Sequence, residues 1–239
     1  MKAVGFPLLT LAFALLSASA FGADGAYKSG VEKILYGDYD GAIKHFSIAI
    51  KEEPKNADAY YMRGSAYADM GEYQKAIEDY DQAIKLDSSK VIAYNARANA
   101  YRILAKYDKA IADFTRSIKL NSANNAFAYN LRGVSYYNIA KYDKAMEDFA
   151  RAVENDPNYA NAYNNRGLAY EALGDTAKAI NDYDRAIKLY PEYGDAYANR
   201  ALAYKALGDI ENAAKDAETA RELGKNNALE ILKKESLIE

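Results

Sequence analysis

The sequence predicts an all-α solenoid of stacked helix–turn–helix units, and three observations lead to that fold class. The stretch 160–193 is spelled almost the same way one period earlier, at 126–159, and one period later, at 194–227. The period is about 34 residues, which is typical of helical repeat arrays. Each period contains two amphipathic patterns with apolar residues three to four positions apart. Prolines recur at the end of a unit, where they stop the second helix, at Pro54, Pro157 and Pro191.

A single alignment divides the chain from residue 23 onward into six units. The third unit is one residue longer, and the extra residue falls in the polar loop 121–125, where insertions are tolerated. The units are Ala23–Asn56, Ala57–Lys90, Val91–Asn125, Ala126–Tyr159, Ala160–Tyr193 and Gly194–Asn227. The remaining residues, 228–239, are too few for another unit, and we expect them to form a carboxyl-terminal capping helix.

The second unit shows how each pattern forms two packed helices. Tyr60, Gly64 and Tyr67 lie on one face of the first helix, and Gly71 provides the tight turn that follows. Tyr80 belongs to the inner face of the second helix. A glycine or alanine at the Gly64 position allows the two helices to approach closely, while the large rings fill the space beside it. The tyrosines at shared offsets are therefore predicted to be core.

These residues resemble the tetratricopeptide repeat, whose pattern is an aromatic residue followed by G/A, Y, A, F/Y, A and P at fixed offsets. The resemblance extends from about Ala23 to Asn227, with tyrosine in place of the usual tryptophan in units two to six. Unit one departs further, with Ala26 and Lys33 at two aromatic positions, as an amino-terminal cap would. The resemblance implies a right-handed superhelical solenoid of antiparallel helix pairs.

The first residues read as a targeting segment. Met1 and Lys2 give a positive start, residues 3–23 carry no charge, and Ala18-Ser19-Ala20 supplies the small residues of a cleavage site. We therefore expect a signal peptide at 1–20 and a mature protein that is periplasmic or secreted. The alternative is an uncleaved segment, 3–23, that anchors the protein in a membrane.

Composition argues against several functional classes. With 31 basic and 34 acidic residues the net charge is −3, too balanced to suggest a nucleic-acid partner. The chain has no cysteine and a single histidine, His45, which stands where other units have an aspartate. We therefore expect no metal site, no cofactor and no enzymatic activity.

An arginine recurs in the first helix of five units, and an aspartate follows it sixteen residues later. Unit one has neither and carries Ser29 and His45 at the two positions. Because the two residue types are present or absent together, we predict an arginine–aspartate pair that ties the two helices of a unit, rather than an anion site. The arginines are Arg63, Arg97, Arg132, Arg166 and Arg200.

The exposed side of each first helix lines the concave groove in this family, and here it is rich in asparagine. An asparagine side chain can donate to and accept from an extended peptide backbone. The candidate partner-binding residues are Tyr61, Asn95, Asn99, Arg102, Asn130, Tyr137, Asn138, Asn164, Asn165 and Asn199. The resemblance does not extend to the carboxylate-clamp subgroup, because Arg102 and Lys205 lie in different units.

The predicted function is a non-catalytic adaptor outside the cytoplasm that binds a protein or an extended peptide in this groove. The alternative is a structural scaffold of an envelope assembly that self-associates into homo-oligomers. A membrane is expected as a partner only if the amino-terminal segment stays uncleaved.

Overall fold

The computed structural model describes residues 25–121, 125–235 and 237–238. The predicted signal peptide and its alternative, the membrane anchor, lie outside these residues. The described part of the chain is all-helical. Its helices are α1 (Gly25–Leu35), α2 (Tyr39–Glu52), α3 (Ala57–Asp69), α4 (Tyr73–Leu86), α5 (Val91–Ile103), α6 (Tyr107–Leu120), α7 (Ala126–Asn138), α8 (Tyr142–Asn155), α9 (Ala160–Ala172), α10 (Thr176–Leu189), α11 (Gly194–Ala206), α12 (Ile210–Glu222) and α13 (Asn227–Lys234). Of these helices, none is both long and apolar enough to cross a membrane.

The helices form two compact halves, called unit 1 and unit 2 to distinguish them from the six sequence repeats. Unit 1 ends at Leu120 and unit 2 begins at Asn121. Unit 1 contains the pairs α1–α2, α3–α4 and α5–α6. Unit 2 contains α7–α8, α9–α10 and α11–α12, followed by α13. The first helices of successive pairs also touch, so that α1, α3 and α5 form a first-helix row in unit 1, and α7, α9 and α11 form one in unit 2.

The turn inside each pair places one residue in the left-handed region of backbone space. Four of the six turns use glycine there, for example Gly71 with φ +81° and Gly174 with φ +86°. The turns after α5 and α7 use Ala105 and Ala140 instead, with φ of 55° and 56°. Alanine is strained in this region, because its Cβ lies close to the following carbonyl oxygen.

Close approach of the two helices in a pair depends on small residues opposite rings. A Cβ added to Gly167 would lie 2.5 Å from Cε1 of Tyr183, and one added to Gly133 would lie 2.7 Å from Cε1 of Phe149. The alanines that open each second helix are fully buried. The packing of small residues against large rings predicted from the repeat is therefore confirmed.

The last helix, α13, covers the end of unit 2 by packing on α11 and α12. Ala228 and Leu232 are fully buried, and Leu229 and Ile238 pack against the same cluster. Lys205 of α11 forms an ion pair with Glu235, which follows α13, with a distance of 2.7 Å between Nζ and Oε1.

Candidate functional site

The recurrent arginines are structural braces. In each of the five pairs the arginine Nε and Nη2 donate to the two carboxylate oxygens of one aspartate over 2.6–2.8 Å. The aspartates are 4–8% exposed. The pairs are Arg63–Asp79, Arg97–Asp113, Arg132–Asp148, Arg166–Asp182 and Arg200–Asp216. Because the paired residues lie on the two helices of one pair, the predicted brace is confirmed.

Some braces also link consecutive helix pairs, which the sequence analysis missed. Nη1 of Arg97 donates to Asp81 over 2.6 Å, and Nη1 of Arg63 donates to the hydroxyl of Ser47 over 3.0 Å. Arg200 binds Asp184 in the same way. The sequence did contain a signal for these contacts, because in each case the acceptor residue lies sixteen positions before the arginine.

The asparagines of the first-helix row in unit 2 bind one another. Nδ2 of Asn165 donates to Oδ1 of Asn130 over 2.9 Å, and Nδ2 of Asn199 donates to Oδ1 of Asn164 over 2.9 Å. Each bond joins one first helix to the next. Asn130 and Asn164 are only 2% and 4% exposed, so the expectation that they lie on a freely exposed side is corrected. The asparagines therefore form a ladder of hydrogen bonds between first helices. Asn130 and Asn164, at one repeat position, accept, and Asn165 and Asn199, at the next position, donate.

The ladder leaves several amide groups unused. The Oδ1 atoms of Asn165 and Asn199 and the Nδ2 atom of Asn164 form no hydrogen bond within the described residues. None of these atoms is both buried and unpaired, so each keeps contact with solvent. By contrast, Nδ2 of Asn130 donates to the hydroxyl of Tyr159 over 3.3 Å.

In unit 1 the asparagine and arginine candidates lie on α5. Oδ1 of Asn95 is buried and accepts no hydrogen bond within the described residues. Oδ1 of Asn99 accepts from Nε and Nη2 of Arg102 over 3.1 and 2.9 Å. Burial lowers the pKa of the half-buried Arg102 guanidinium below its ordinary value. This arginine has no place in the brace system.

The remaining candidates differ in how much surface they present. Tyr61 is only 5% exposed, with its ring 5.9 Å from that of Tyr80, and burial raises its pKa to about 12. It belongs to the core of unit 1, which corrects the expectation of an exposed position. Tyr137 is half-buried, edge-on to Tyr142 at 5.2 Å. Asn138 is exposed and donates to the carbonyl of Val134 in its own helix.

A buried polar contact on α9 was also missed. The hydroxyl of Tyr183, a fully buried residue, donates to Oε2 of Glu171 over 2.5 Å. Burial raises the pKa of the Glu171 carboxyl, and the hydrogen bond from Tyr183 opposes that rise. Glu171 and Tyr183 occur together in one sequence repeat alone, so comparison between repeats gave no signal for them.

A metal-binding cluster is absent from the described residues. They contain no group of three or more histidine, aspartate or glutamate side chains arranged to hold a metal ion. Where two aspartates approach one arginine, as Asp81 and Asp113 do at Arg97, both are paired with its guanidinium. Apart from the brace arginines, the candidate residues on the first-helix rows present amides, the Arg102 guanidinium and tyrosine hydroxyls, and such groups suit recognition.

Family comparison matches most of the chain. A tetratricopeptide repeat model matches residues 57–90, 91–124 and 160–193, a TPR repeat model matches 35–71 and 141–174, and a further tetratricopeptide repeat model matches 182–215. The chain belongs to the tetratricopeptide repeat (TPR) family. The predicted fold class, an all-α solenoid of antiparallel helix pairs, is thereby confirmed. No curated protein matches the sequence of this TPR chain.

Solved structures agree with the assignment. MamA is 27% identical, with a TM-score of 0.63, over 77% of this chain and 93% of MamA. YrrB, described as a TPR protein with an unusual peptide-binding site, is 24% identical, with a TM-score of 0.62, over 79% of this chain and 97% of YrrB. PilW, described as a type IV pilus biogenesis factor, is 16% identical with a TM-score of 0.77 over 92% of this chain and 98% of PilW. The last two likenesses concern the fold alone.

Proposed function

We propose that this TPR protein is a non-catalytic interaction module that holds an extended peptide, or an extended segment of a protein partner, on the first-helix row of unit 2. The observation that carries the proposal is the asparagine ladder with its unused amide groups. Asn165 and Asn199 offer acceptors, and Asn164 offers a donor. An extended backbone presents N–H and C=O groups that match both kinds.

The ladder also fixes the direction of these groups before a partner arrives. Each amide is already held by one hydrogen bond from the neighbouring helix, so little side-chain freedom remains to be lost on binding. Contacts to backbone atoms are independent of the partner's side chains. Side-chain selectivity then comes from larger residues nearby, of which the half-buried Tyr137 is one.

Membership of the TPR family supports the adaptor role, since TPR proteins are in general non-catalytic adaptors. We place the module outside the cytoplasm, in the periplasm or secreted. That placement rests on the positive start, the uncharged run 3–23 and the small residues at 18–20. Fractionation of cells into cytoplasm, membrane and envelope fluid, with mass determination of the mature amino terminus, tests it.

A double variant tests the binding site. Peptides of twelve residues are selected on the wild-type chain from a random phage-displayed library, and their affinities are then measured for Asn165→Ala/Asn199→Ala. Each hydrogen bond contributes about 1 kcal/mol, so the double variant should bind roughly tenfold more weakly or worse. Asn181→Ala is the matched control, because Asn181 is an exposed asparagine on the second helix α10, outside the first-helix row.

Melting temperatures of both variants are measured alongside, because the ladder also ties α9 to α11 and to α7. Equal affinity of the selected peptides for wild type and double variant would remove the asparagine site. Light scattering at two protein concentrations tests the self-associating scaffold. A single-chain mass at both supports the adaptor, whereas a mass that grows with concentration supports the scaffold.

A further inference from the structure

One half-buried arginine on the first-helix row of unit 1 has no acidic partner among the described residues. Arg102 lies near the carboxyl end of α5, half-buried, and forms no ion pair within the described residues. The five brace arginines each bind an aspartate in two places. Arg102 therefore differs from every other first-helix arginine in lacking a counter-charge.

The guanidinium of Arg102 is nevertheless held in a fixed direction. Oδ1 of Asn99, one turn earlier, accepts from Nε and Nη2, so Nη1 remains free. Electrostatic interaction with Tyr107 and Tyr73, which begin α6 and α4, opposes the lowering of the Arg102 pKa by burial. An arginine side chain stays charged at ordinary pH. A charge held partly out of water without a partner costs free energy, which a bound anion would restore.

Other repeats show what this position takes when it is charged. Counting by the repeat, Arg102 corresponds to Glu171 and Lys205. Glu171 accepts a hydrogen bond from the hydroxyl of Tyr183, and Nζ of Lys205 donates to the carboxylate of Glu235 over 2.7 Å. The chain itself thus provides a carboxylate for the other basic residue at this position. No carboxylate of the described residues pairs with Arg102.

We propose that Arg102 binds a carboxylate side chain, aspartate or glutamate, of an extended peptide partner. The inference rests on the proposed peptide-binding function and adds the chemistry of the partner in unit 1. Asn99 preorganises the guanidinium. A carboxylate there forms a charge-assisted hydrogen bond to Nη1, which is stronger than a neutral one.

The test uses the full chain labelled with ¹⁵N-arginine and follows the Nε–H signals by NMR. The probes are a capped nine-residue Gly/Ser peptide with one central glutamate, the same peptide with glutamine, and acetate and inorganic phosphate. The Arg102 signal is assigned from Arg102→Gln. We expect a saturable shift with the glutamate peptide and affinity about tenfold or more weaker for the glutamine peptide. The paired Arg166 signal should not move.

Two variants separate binding from folding. Arg102→Gln should lose the preference for glutamate without a lower melting temperature, since Arg102 bonds only to Asn99 in its own helix and the variant removes an unpaired, partly buried charge. Arg102→Lys should keep part of it, because the charge remains while the fork geometry is lost. Equal affinity for the two peptides overturns the inference. Acetate or phosphate binding as tightly as the glutamate peptide would make this a site for simple anions and also overturn it.

The peptides selected by phage display distinguish this inference from the proposed function. If their affinity falls with Asn165→Ala/Asn199→Ala but not with Arg102→Gln, the peptide-binding function stands and the role of Arg102 is wrong. If it falls with Arg102→Gln alone, the carboxylate site stands and the asparagine site is wrong.

Discussion

Breaking one brace should destabilise unit 2 far more than breaking a surface ion pair. Arg166 donates to both oxygens of Asp182 over 2.7 Å, and the side chain of Asp182 is only 8% exposed. This hydrogen bond raises the pKa of the Arg166 guanidinium above its ordinary value. Arg166→Met keeps most of the aliphatic stem and removes the charged guanidinium, whose Cζ lies 5.4 Å from the centroid of the Tyr163 ring.

The expected cost of Arg166→Met is about 3–5 kcal/mol, because the Asp182 carboxylate is left buried without its partner. Arg166 is the cleanest brace to test, since Arg200 also binds Asp184. The matched control is Arg151→Met. Arg151 pairs with Glu154 over 3.0 Å, with both side chains more than 60% exposed, and such a pair contributes about 0–1 kcal/mol.

The assay is urea unfolding followed by circular dichroism, fitted with a nearest-neighbour description because repeat arrays need not unfold in one step. A third variant, Arg166→Met/Asp182→Leu, should recover most of the loss, since an apolar pair leaves no buried charge. An Arg166→Met variant no less stable than Arg151→Met would refute the brace. So would a variant of normal stability that no longer binds the selected peptides, because that result would make Arg166 a ligand-binding residue.

Three further changes test single features of the fold. Ala140→Gly should stabilise by roughly 0.5–1 kcal/mol, seen as a higher urea midpoint, because it relieves a left-handed alanine at some cost in chain entropy; a lower midpoint would contradict the strain. Ser117→Ala should add about 1–2 kcal/mol, since the Ser117 hydroxyl is buried without a partner within the described residues, and a loss of stability would show that it has one. Glu171→Gln tests a pH dependence. Burial raises the pKa of Glu171 in the folded state above its unfolded value of about 4.3. The stability contributed by the protonated form is therefore complete below the unfolded pKa. It is lost as the pH rises through the folded pKa. Urea midpoints across this range should show wild type falling relative to the variant, and a constant difference would count against it.

Comparison between units predicted those contacts that recur. Arg166 and Asp182 could be paired from sequence because five of the six sequence repeats carry both residue types and one carries neither. The small residue at Gly167 and the ring at Tyr183 were predictable for the same reason. Such contacts follow from the geometry of one helix pair, which every unit repeats.

The asparagines show where this comparison stops. Asn130 and Asn165 are 35 residues apart, one more than the usual period, so they occupy different offsets in successive units. From sequence they look like two incomplete rows. In the structure they are the two ends of one hydrogen bond, and the bond depends on how closely consecutive first helices approach. Tyr61 was misplaced for a similar reason, because its burial is decided by neighbouring helices.

The sequence by itself determined the repeat, the helix pairs, the turn positions and the braces inside each pair, because each of these depends on local spacing that the chain states several times. Only the tertiary structure decided which amide groups are already hydrogen-bonded and that Tyr183 donates to Glu171. It also decided that Arg102 pairs with no acidic side chain in the described part of the chain. These contacts occur once or twice, between residues on different helices. Their existence depends on distances and burial in the packed array, which a pattern of residue types does not contain.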